Sequence, residues 1–407
     1  MLAILTTHPI QYQVPLWQAL AKEGKIPFEV WYLSDHGIKP THDPEFGKSF
    51  SWDIEMLRGY PYQFLKINHH GEVNHFWQLC PGKSFGKRFR EKGVKALLIQ
   101  GWQVLAYWQA VWQARAARVS VWVRGESSDL APLPEWRKFS KRIFLRPFLR
   151  RIDHFLYIGE ASRRFYEQYG VTQERLHPAP YCVDHERFAQ QAEMLLPERA
   201  HIRSKWNIPE NAFCVLFAGK FIPKKRPLDL VYAACSPSLK EKGRPIHLLF
   251  AGSGELGSKL RQVCHVVFDT ESFPQTTFQQ IRCECNRPHA SFVGFLNQTE
   301  ISKAYVAADC LVLPSDYRET WGLVVNEAMA SGIPCVVSDA CGSCEDLIAP
   351  LNPRLRFPMG NIRALADALN FVGDTPFSRH IFQEQAARFS IKNSVATIQN
   401  LYSENGR

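Results

Sequence analysis

Short apolar runs, spaced by longer amphipathic or polar stretches, recur along the whole chain. Leu2–Thr6, Phe28–Leu33, Lys95–Ile99, Val119–Val123 and Phe155–Ile158 are mostly aliphatic or aromatic. Runs this short, bounded by turn residues and without polar alternation, read as strands buried on both faces. Helical patterns fill the intervals at Leu16–Lys22, Leu105–Ala117 and Ala161–Tyr169. Strand and helix in alternation predict an α/β domain.

The pattern lapses from Pro178 to Phe188, an extended Pro-containing segment, and a polar stretch runs on to about Ser204. It then starts afresh with Cys214–Ala218, His247–Ala251, Ser291–Phe295, Cys310–Leu313 and Cys335–Val337 as strands. Leu228–Ala234, Thr299–Ala308, Ile362–Phe371 and Ile391–Tyr402 read as helices. A chain of 407 residues with this lapse near its middle is expected to form two α/β domains, with the boundary at 185/186. Ser34–Phe89 is irregular, and an ordered loop of that length is expected to carry function; the acceptor-binding surface is assigned here. Cys264–Ala290 reads as a surface insertion.

In α/β sheets, ligands bind beyond the carboxyl ends of the strands. Unusual polar residues cluster there: His8, Gln11 and Tyr12 after the first strand, Gln100 after the third, and Arg124-Gly125-Glu126 after the fourth. A polar loop shaped by its prolines is the alternative for residues 8–12. In the second half, Gly219-Lys220 leads into Lys224-Lys225-Arg226 just before a helix, where cations suit phosphate oxygens. Gly252-Ser253-Gly254-Glu255 implies close backbone approach to a ligand. It lacks the full dinucleotide fingerprint, so no NAD site is assigned and no cofactor is expected.

Composition adds limits. With 45% hydrophobic and 22% charged residues the chain is ordinary for a globular protein. The formal charge of +10 has a local source: Lys83–Arg151 holds 16 Lys/Arg against four acids. Within it, Trp136–Arg151 reads WRKFSKRIFLRPFLRR, seven cations and no acid interleaved with aromatic and aliphatic residues and interrupted by Pro147. Basic heads with apolar wedges suit an interfacial helix on anionic lipid; a helix packed on its own domain with solvated cations outside is the other reading. No nucleic-acid module accompanies the charge, so no nucleic-acid partner is expected. No apolar run approaches the ~18 residues that span a bilayer, and the N-terminus lacks a basic n-region. A cytoplasmic location is expected, with peripheral contact on the inner face of the cell membrane.

Eleven cysteines without a regular framework suit reduced thiols. Cys341-Gly342-Ser343-Cys344 has redox or half-zinc spacing and Cys283-Glu284-Cys285 would supply a second half, but no familiar ligand spacing follows, and loop thiols are the preferred reading. His69, His70 and His75 read as solvated loop histidines. No metal is expected.

One stretch concentrates the candidate chemistry: Pro314–Asp339, PSDYRETWGLVVNEAMASGIPCVVSD. Glu319 and Glu327 stand eight apart around an expected helix start near Gly322, which places Glu327 about 8 Å along the helix. Gly332 and Pro334 end it. Backbone N–H groups from Thr320 to Val324 lie between the two acids and form a ready anion site. One acid would meet a sugar, the helix start a diphosphate and the other acid a ribose.

These residues resemble retaining glycosyltransferases of family 4. The stretch is similar to the family's E-x7-E signature with its small-residue helix and following strand. Gly219-Lys220 with Lys225 resembles its phosphate-binding cation pair, Pro180-Tyr181-Cys182-Val183-Asp184 to Phe188 its linker, and Phe389-Ser390 to Tyr402 its C-terminal helix. The resemblance implies the GT-B fold: two Rossmann-like domains facing across a cleft, the N-terminal one (1–185 with helix 386–407 crossing back) binding the acceptor. The C-terminal one (186–385) would bind a nucleotide-diphospho-sugar donor. It implies transfer to a glycan or lipid-linked acceptor with retention of configuration. Catalytic roles would fall to Glu319, Lys220 and Lys225, with His8 or Glu126 assisting the acceptor hydroxyl. Gly219, Gly254, Gly294, Phe295, Thr320, Trp321, Gly322, Leu323, Val324 and Glu327 would line the donor site, and Gln11, Tyr12 and Arg124 the acceptor side. The chain departs from the family where a His-Asp pair is common, carrying Arg124-Gly125-Glu126 instead. The alternatives are a nucleotide-sugar 2-epimerase on the same fold, or a non-catalytic sugar-binding or membrane-associated scaffold. For the two acids taken singly, the plainer readings are a carboxylate beside a helix N-terminus (Glu319) and a buried acid paired to a lysine (Glu327).

Overall fold

The computed structural model describes the chain except residues 39–40, 44–47, 68–75, 78–79, 81–83, 133, 241–243, 272–286 and 406–407. It divides into two compact units: Met1–Thr41, Phe50–Val183 and Ser390–Arg407 in the first, His42–Ser49 and Asp184–Phe389 in the second.

The first unit is built on a parallel sheet of seven strands: β1 (Leu2–Thr6), β2 (Phe28–Tyr32), β3 (Tyr62–Phe64), β4 (Ala96–Ile99), β5 (Ser120–Val123), β6 (His154–Tyr157) and β7 (Leu176–Pro178). Their spatial order is β3-β2-β1-β4-β5-β6-β7, the doubly wound arrangement in which strand order reverses beside β1. The helix Val14–Glu23 covers one face. Pro15 suits its first turn, and Gly24 ends it with φ 63°, donating its N–H to the Leu20 carbonyl. Trp17 and Leu20 of that helix pack with Val395, Ile398 and Leu401 of the last helix, Ile391–Glu404, so the chain's end completes the core of the first unit. Fully burying each of these side chains contributes roughly 1.5–3 kcal/mol.

The second unit opens at the helix His185–Leu195, whose N-cap Asp184 accepts the Arg187 N–H at 3.1 Å. Its parallel sheet holds β8 (Phe213–Ala218), β9 (Ile246–Ala251), β10 (His265–Asp269), β11 (His289–Gly294), β12 (Cys310–Leu313), β13 (Cys335–Ser338) and β14 (Arg356–Phe357). They lie in the order β10-β11-β9-β8-β12-β13-β14, and strand order again reverses, here between β8 and β12.

Several local expectations need correction. The segment taken for an insertion at 264–290 contains β10, which pairs in parallel with β11 at the sheet edge. The irregular region before Phe89 holds β3 and the helix Ser84–Glu91, whose Phe85 and Phe89 stack with Trp31. Pro147 does not stop its helix, which runs from Glu135 to Leu149. His69, His70, His75, Cys283 and Cys285 lie outside the described residues.

Candidate active site

Both units gather their unusual residues at the carboxyl ends of strands beside the point where strand order reverses. In the second unit the loops after β8, β9, β11 and β12 are tied by their own backbones. Gly219 donates to Ala251 O (2.9 Å), Gly252 to Gly294 O (2.7 Å), Phe221 to Ser253 O (2.8 Å), Leu256 to Phe221 O (2.9 Å) and Asp316 to Lys224 O (2.8 Å). A side chain is excluded at two of these crossings. A Cβ on Gly252 would lie 1.9 Å from Gly219 O, and one on Gly254 would lie 2.8 Å from both N and O of Phe221. The approach that demands glycine at 254 is therefore made by the protein's own chain. Gly294 (φ 71°) closes β11 against Thr270, with the partly exposed Phe295 next to it.

This lacing brings the predicted cations and the first acid to one rim. Lys225 Nζ is ion-paired with Glu319 Oε2, both side chains largely withdrawn from solvent. Lys220 lies partly exposed at the start of the same loop. Arg226, in contrast, is a framework residue: it has φ 51° and clamps Asp229 at 2.7 and 3.2 Å. Asp316 is likewise taken up by Arg318, at 2.6 Å in the closest contact. The loop 319–323 is held from behind. Gly342 N donates to Glu319 O (3.2 Å) and Ser343 N to Trp321 O (3.1 Å), and a Cβ on Gly342 would sit 1.9 Å from Thr320 O. Gly322, with φ 95°, turns the chain where a Cβ would strike Leu313 at 2.4 Å. Cys341 and Cys344 flank this support as buried thiols, each pushed up in pKa chiefly by burial. The role of Cys-Gly-Ser-Cys in the structure is thus loop support, a contact with no signal in the local sequence.

The two glutamates occupy different environments. The helix begins at Val324, two residues after Gly322, so Glu327 falls in its first turn. Glu327 is 2% exposed and its Oε2 accepts the Tyr305 hydroxyl at 2.5 Å. It is a buried acid, as the plainer reading expects, but this oxygen meets a phenol and not a lysine. Trp321 is also buried, donating to Asn326 Oδ1 at 2.8 Å and packing 5.7 Å from Phe389, so its indole braces the loop. Thr320 and Val324 stay partly exposed, whereas Leu323 is buried. The contacts of Tyr305 with Glu327, of Asn326 with Trp321 and of Gly342 with Glu319 escaped the sequence reading because each joins two different elements or a helix to its preceding loop.

In the first unit a cavity of about 300 Å³ opens at the ends of β1, β4 and β5, lined in part by His8, Gln13, Gln100, Arg124 and Glu126. Gln11 and Tyr12 lie in the turn that follows His8 and are not part of this lining. His8 Nδ1 is 2.9 Å from Thr7 Oγ1; burial, with His36 beside it, pushes its pKa down to about 4. It is therefore neutral near pH 7. Arg124 is spent on the framework, bonding Ala179 O (3.3 Å) and Pro180 O (3.0 Å) and lying 5.2 Å from the Tyr181 ring centre. Glu126 remains exposed and accepts the Tyr181 hydroxyl at 2.5 Å. Burial and this carboxylate keep the Tyr181 hydroxyl protonated. Gln13 links Gln100 (3.5 Å) and Thr6 (3.3 Å) across the cavity floor. Tyr181 and Gln13 as site residues were not singled out from sequence. Among the described residues no group of three or more His, Cys, Asp or Glu is arranged to hold a metal, and no helix is long and apolar enough to cross a membrane.

Comparison with known proteins fits this arrangement. The family model described as glycosyl transferases group 1 matches residues 198–389, and that of the glycosyl transferase 4-like domain matches residues 59–182. Among relatives, a D-inositol 3-phosphate glycosyltransferase of Nocardia farcinica is 26% identical, over 52% of this chain and 42% of its own length. A GDP-mannose-dependent alpha-mannosyltransferase of Mycobacterium tuberculosis is 28% identical, over 48% of this chain and 42% of its own. The chain thus spans less than half the length of these curated relatives. The solved structure of Anabaena HepE in complex with UDP-glucose superposes with a TM-score of 0.64, 16% identity and 99% of both chains covered. Two matching family models and this fold agree: the chain belongs to the family 4 glycosyl transferases of group 1, with the GT-B fold.

Proposed function

We propose that this protein is a hexosyltransferase that moves a sugar from a nucleotide-diphospho-sugar to an acceptor hydroxyl, with retention of anomeric configuration. The observation that carries the reading is the Lys225–Glu319 ion pair, set on a rim of laced strand ends within the region of the group 1 match. A cation and an acid paired at this rim offer a donor complementary partners for its diphosphate and its hydroxyls. Lys225, with Lys220, would take the diphosphate; Glu319 would take sugar hydroxyls.

Departure of a nucleoside diphosphate develops negative charge on its β-phosphate. Fixed cations and backbone N–H groups of 320–324 that meet this charge lower the barrier, and stabilisation of this kind commonly outweighs every other catalytic effect. Glu319 then positions the sugar without attacking it, and Glu327, steadied by Tyr305, would receive the ribose hydroxyls. That donor role belongs to the second unit. The acceptor is assigned to the first, where neutral His8 and exposed Glu126 are the candidate groups to receive the acceptor proton. That HepE was solved with UDP-glucose, and that relatives are named for GDP-mannose or inositol phosphate, favours a nucleotide sugar and a polyhydroxylated acceptor. Cell-envelope polysaccharide or glycolipid synthesis, at an anionic membrane surface met by the helix Glu135–Leu149, is the setting that fits the basic first unit.

A screen of nucleotide sugars for thermal stabilisation tests the donor claim, since a ligand held by the folded state raises its melting temperature. At a hundredfold excess over Kd the stabilisation is about 2.7 kcal/mol. If no nucleoside diphosphate or nucleotide sugar shifts the melting temperature, the assignment falls.

A further inference from the structure

The helix Glu135–Leu149 divides its side chains sharply. Leu145, Phe148 and Leu149 are buried, and Phe148 packs 4.4 Å from Trp108 of the neighbouring helix. On the opposite side Trp136, Phe139 and Ile143 are 65%, 66% and 60% exposed. Their spacing of three and four residues puts them in one stripe. Arg137, Arg142, Arg146 and Arg150 are all exposed around that stripe.

Beside the stripe is a groove of about 360 Å³, walled by Phe139 and by Phe165 and Tyr169 of the helix Glu160–Gln168 and its end. Its charges do not balance. The two carboxylates that face it are already engaged: Asp129 with Arg164 at 2.8 Å, and Glu135 with Lys138 at 2.7 Å. Lys141 and Arg142 also line it, and neither has a carboxylate within ion-pair distance among the described residues. Lys141 is withdrawn from solvent, with Nζ 4.9 Å from the Phe165 ring centre, and burial lowers its pKa. A half-buried ammonium flanked by a guanidinium, with its neighbouring acids spoken for, is a cation pair suited to an external anion.

We propose that this groove binds the phosphate of a membrane lipid headgroup, with Lys141 and Arg142 as its ligands, while Trp136, Phe139 and Ile143 enter the headgroup layer. The inference rests on the membrane setting proposed above and narrows it from a charged patch to a built phosphate site. Lipid-borne phosphate is favoured over free phosphate because the apolar stripe adjoins the groove along the same helix, so one surface engages both parts of a lipid.

The test is co-sedimentation of the full chain with phosphatidylcholine vesicles containing phosphatidic acid, at fixed ionic strength. K141Q/R142Q is compared with R146Q/R150Q, which removes the same charge from the same helix outside the groove. Two cations lost from a diffuse patch weaken partitioning by about 30-fold, from ~1 kcal/mol each. The proposal requires the groove variant to fall at least tenfold further than the control. Equal losses overturn it, as does stabilisation by millimolar inorganic phosphate without vesicle binding. Donor-induced thermal stabilisation is measured on the same variants and should persist in both. In the unaltered protein, donor-induced stabilisation without vesicle binding would sink the groove alone, whereas absence of that stabilisation would sink the donor assignment.

Discussion

Replacing Gly342 by alanine adds one methyl group and removes no functional atom, yet the loop geometry makes it severe. The new Cβ would lie 1.9 Å from Thr320 O, 2.8 Å from Thr320 C and 3.2 Å from Trp321 Cα, all of them backbone. Restoring tolerable contact requires the loop to retreat by about 1 Å, because no rotamer change relieves a backbone clash. That retreat strains two hydrogen bonds, Gly342 N to Glu319 O and Ser343 N to Trp321 O. Overpacking at about 1–3 kcal/mol, with part of two hydrogen bonds at about 1 kcal/mol each, gives a loss of about 2–5 kcal/mol. The residues displaced follow Glu319 directly, so its carboxylate moves relative to Lys225. A misplacement of about 1 Å can cost on the order of 100-fold in rate. Urea denaturation gives the stability change, and donor-induced thermal stabilisation and sugar transfer give the functional one. Gly86→Ala, in the helix Ser84–Glu91 with its nearest neighbour at 3.5 Å, is the control expected to hold or gain stability. If Gly342→Ala unfolds and transfers sugar like the unaltered protein, the Glu319 loop is not held in the way described.

Tyr305→Phe removes the hydroxyl that Glu327 accepts inside the second unit. A hydrogen bond of this kind contributes about 0.5–1.5 kcal/mol net, so stability should drop by about that amount and donor affinity with it; an unchanged urea midpoint would refute the role. His8 and His247 are each held down to about 4 by burial, against an ordinary 6.5. Above pH 6.5 neither state binds the proton. Below it the unfolded chain gains one first, so stability falls towards pH 4 by up to about 1.4 kcal/mol per pH unit for each histidine. His247→Gln should flatten the curve by one histidine's share in that window, and parallel curves would contradict the assignment. Tyr181→Phe removes the hydroxyl that Glu126 accepts within the first unit. Transfer should slow while donor-induced stabilisation stays; a lost donor shift with intact transfer would count against Glu126 on the acceptor side.

The strand-and-helix order was legible because β1, β4, β5, β8 and β12 are apolar runs almost throughout, as strands buried on both faces are. The edges were not. β3 and β10 lie at sheet margins, where one neighbour is missing and polar residues are tolerated, so Tyr62–Phe64 and His265–Asp269 do not stand out. Pro147 interrupts the basic pattern but not the helix: a proline disturbs a helix locally, and Phe148 and Leu149 beyond it are anchored in the core. At the site, charge and glycine patterns located Lys225 and Glu319, and the structure brings them together. Sequence had no means of showing that they pair, that Tyr305 meets Glu327, or that Gly342 supports the loop. Those contacts join residues tens of positions apart, and no local periodicity records them. The Arg124-Gly125-Glu126 departure is also resolved only in three dimensions: Arg124 turns inward to carbonyls, and Glu126 turns outward to Tyr181.

Everything proposed for the second unit depends on Lys225 and Glu319 gripping a nucleotide sugar together. The decisive measurement is sugar transfer from the stabilising donor, made on the full chain and on Lys225→Ala and Glu319→Ala. Each variant should stay folded and lose transfer by about 100-fold or more, the scale set by removing a positioned charge from a site of this kind. Full transfer by both variants would contradict the assignment.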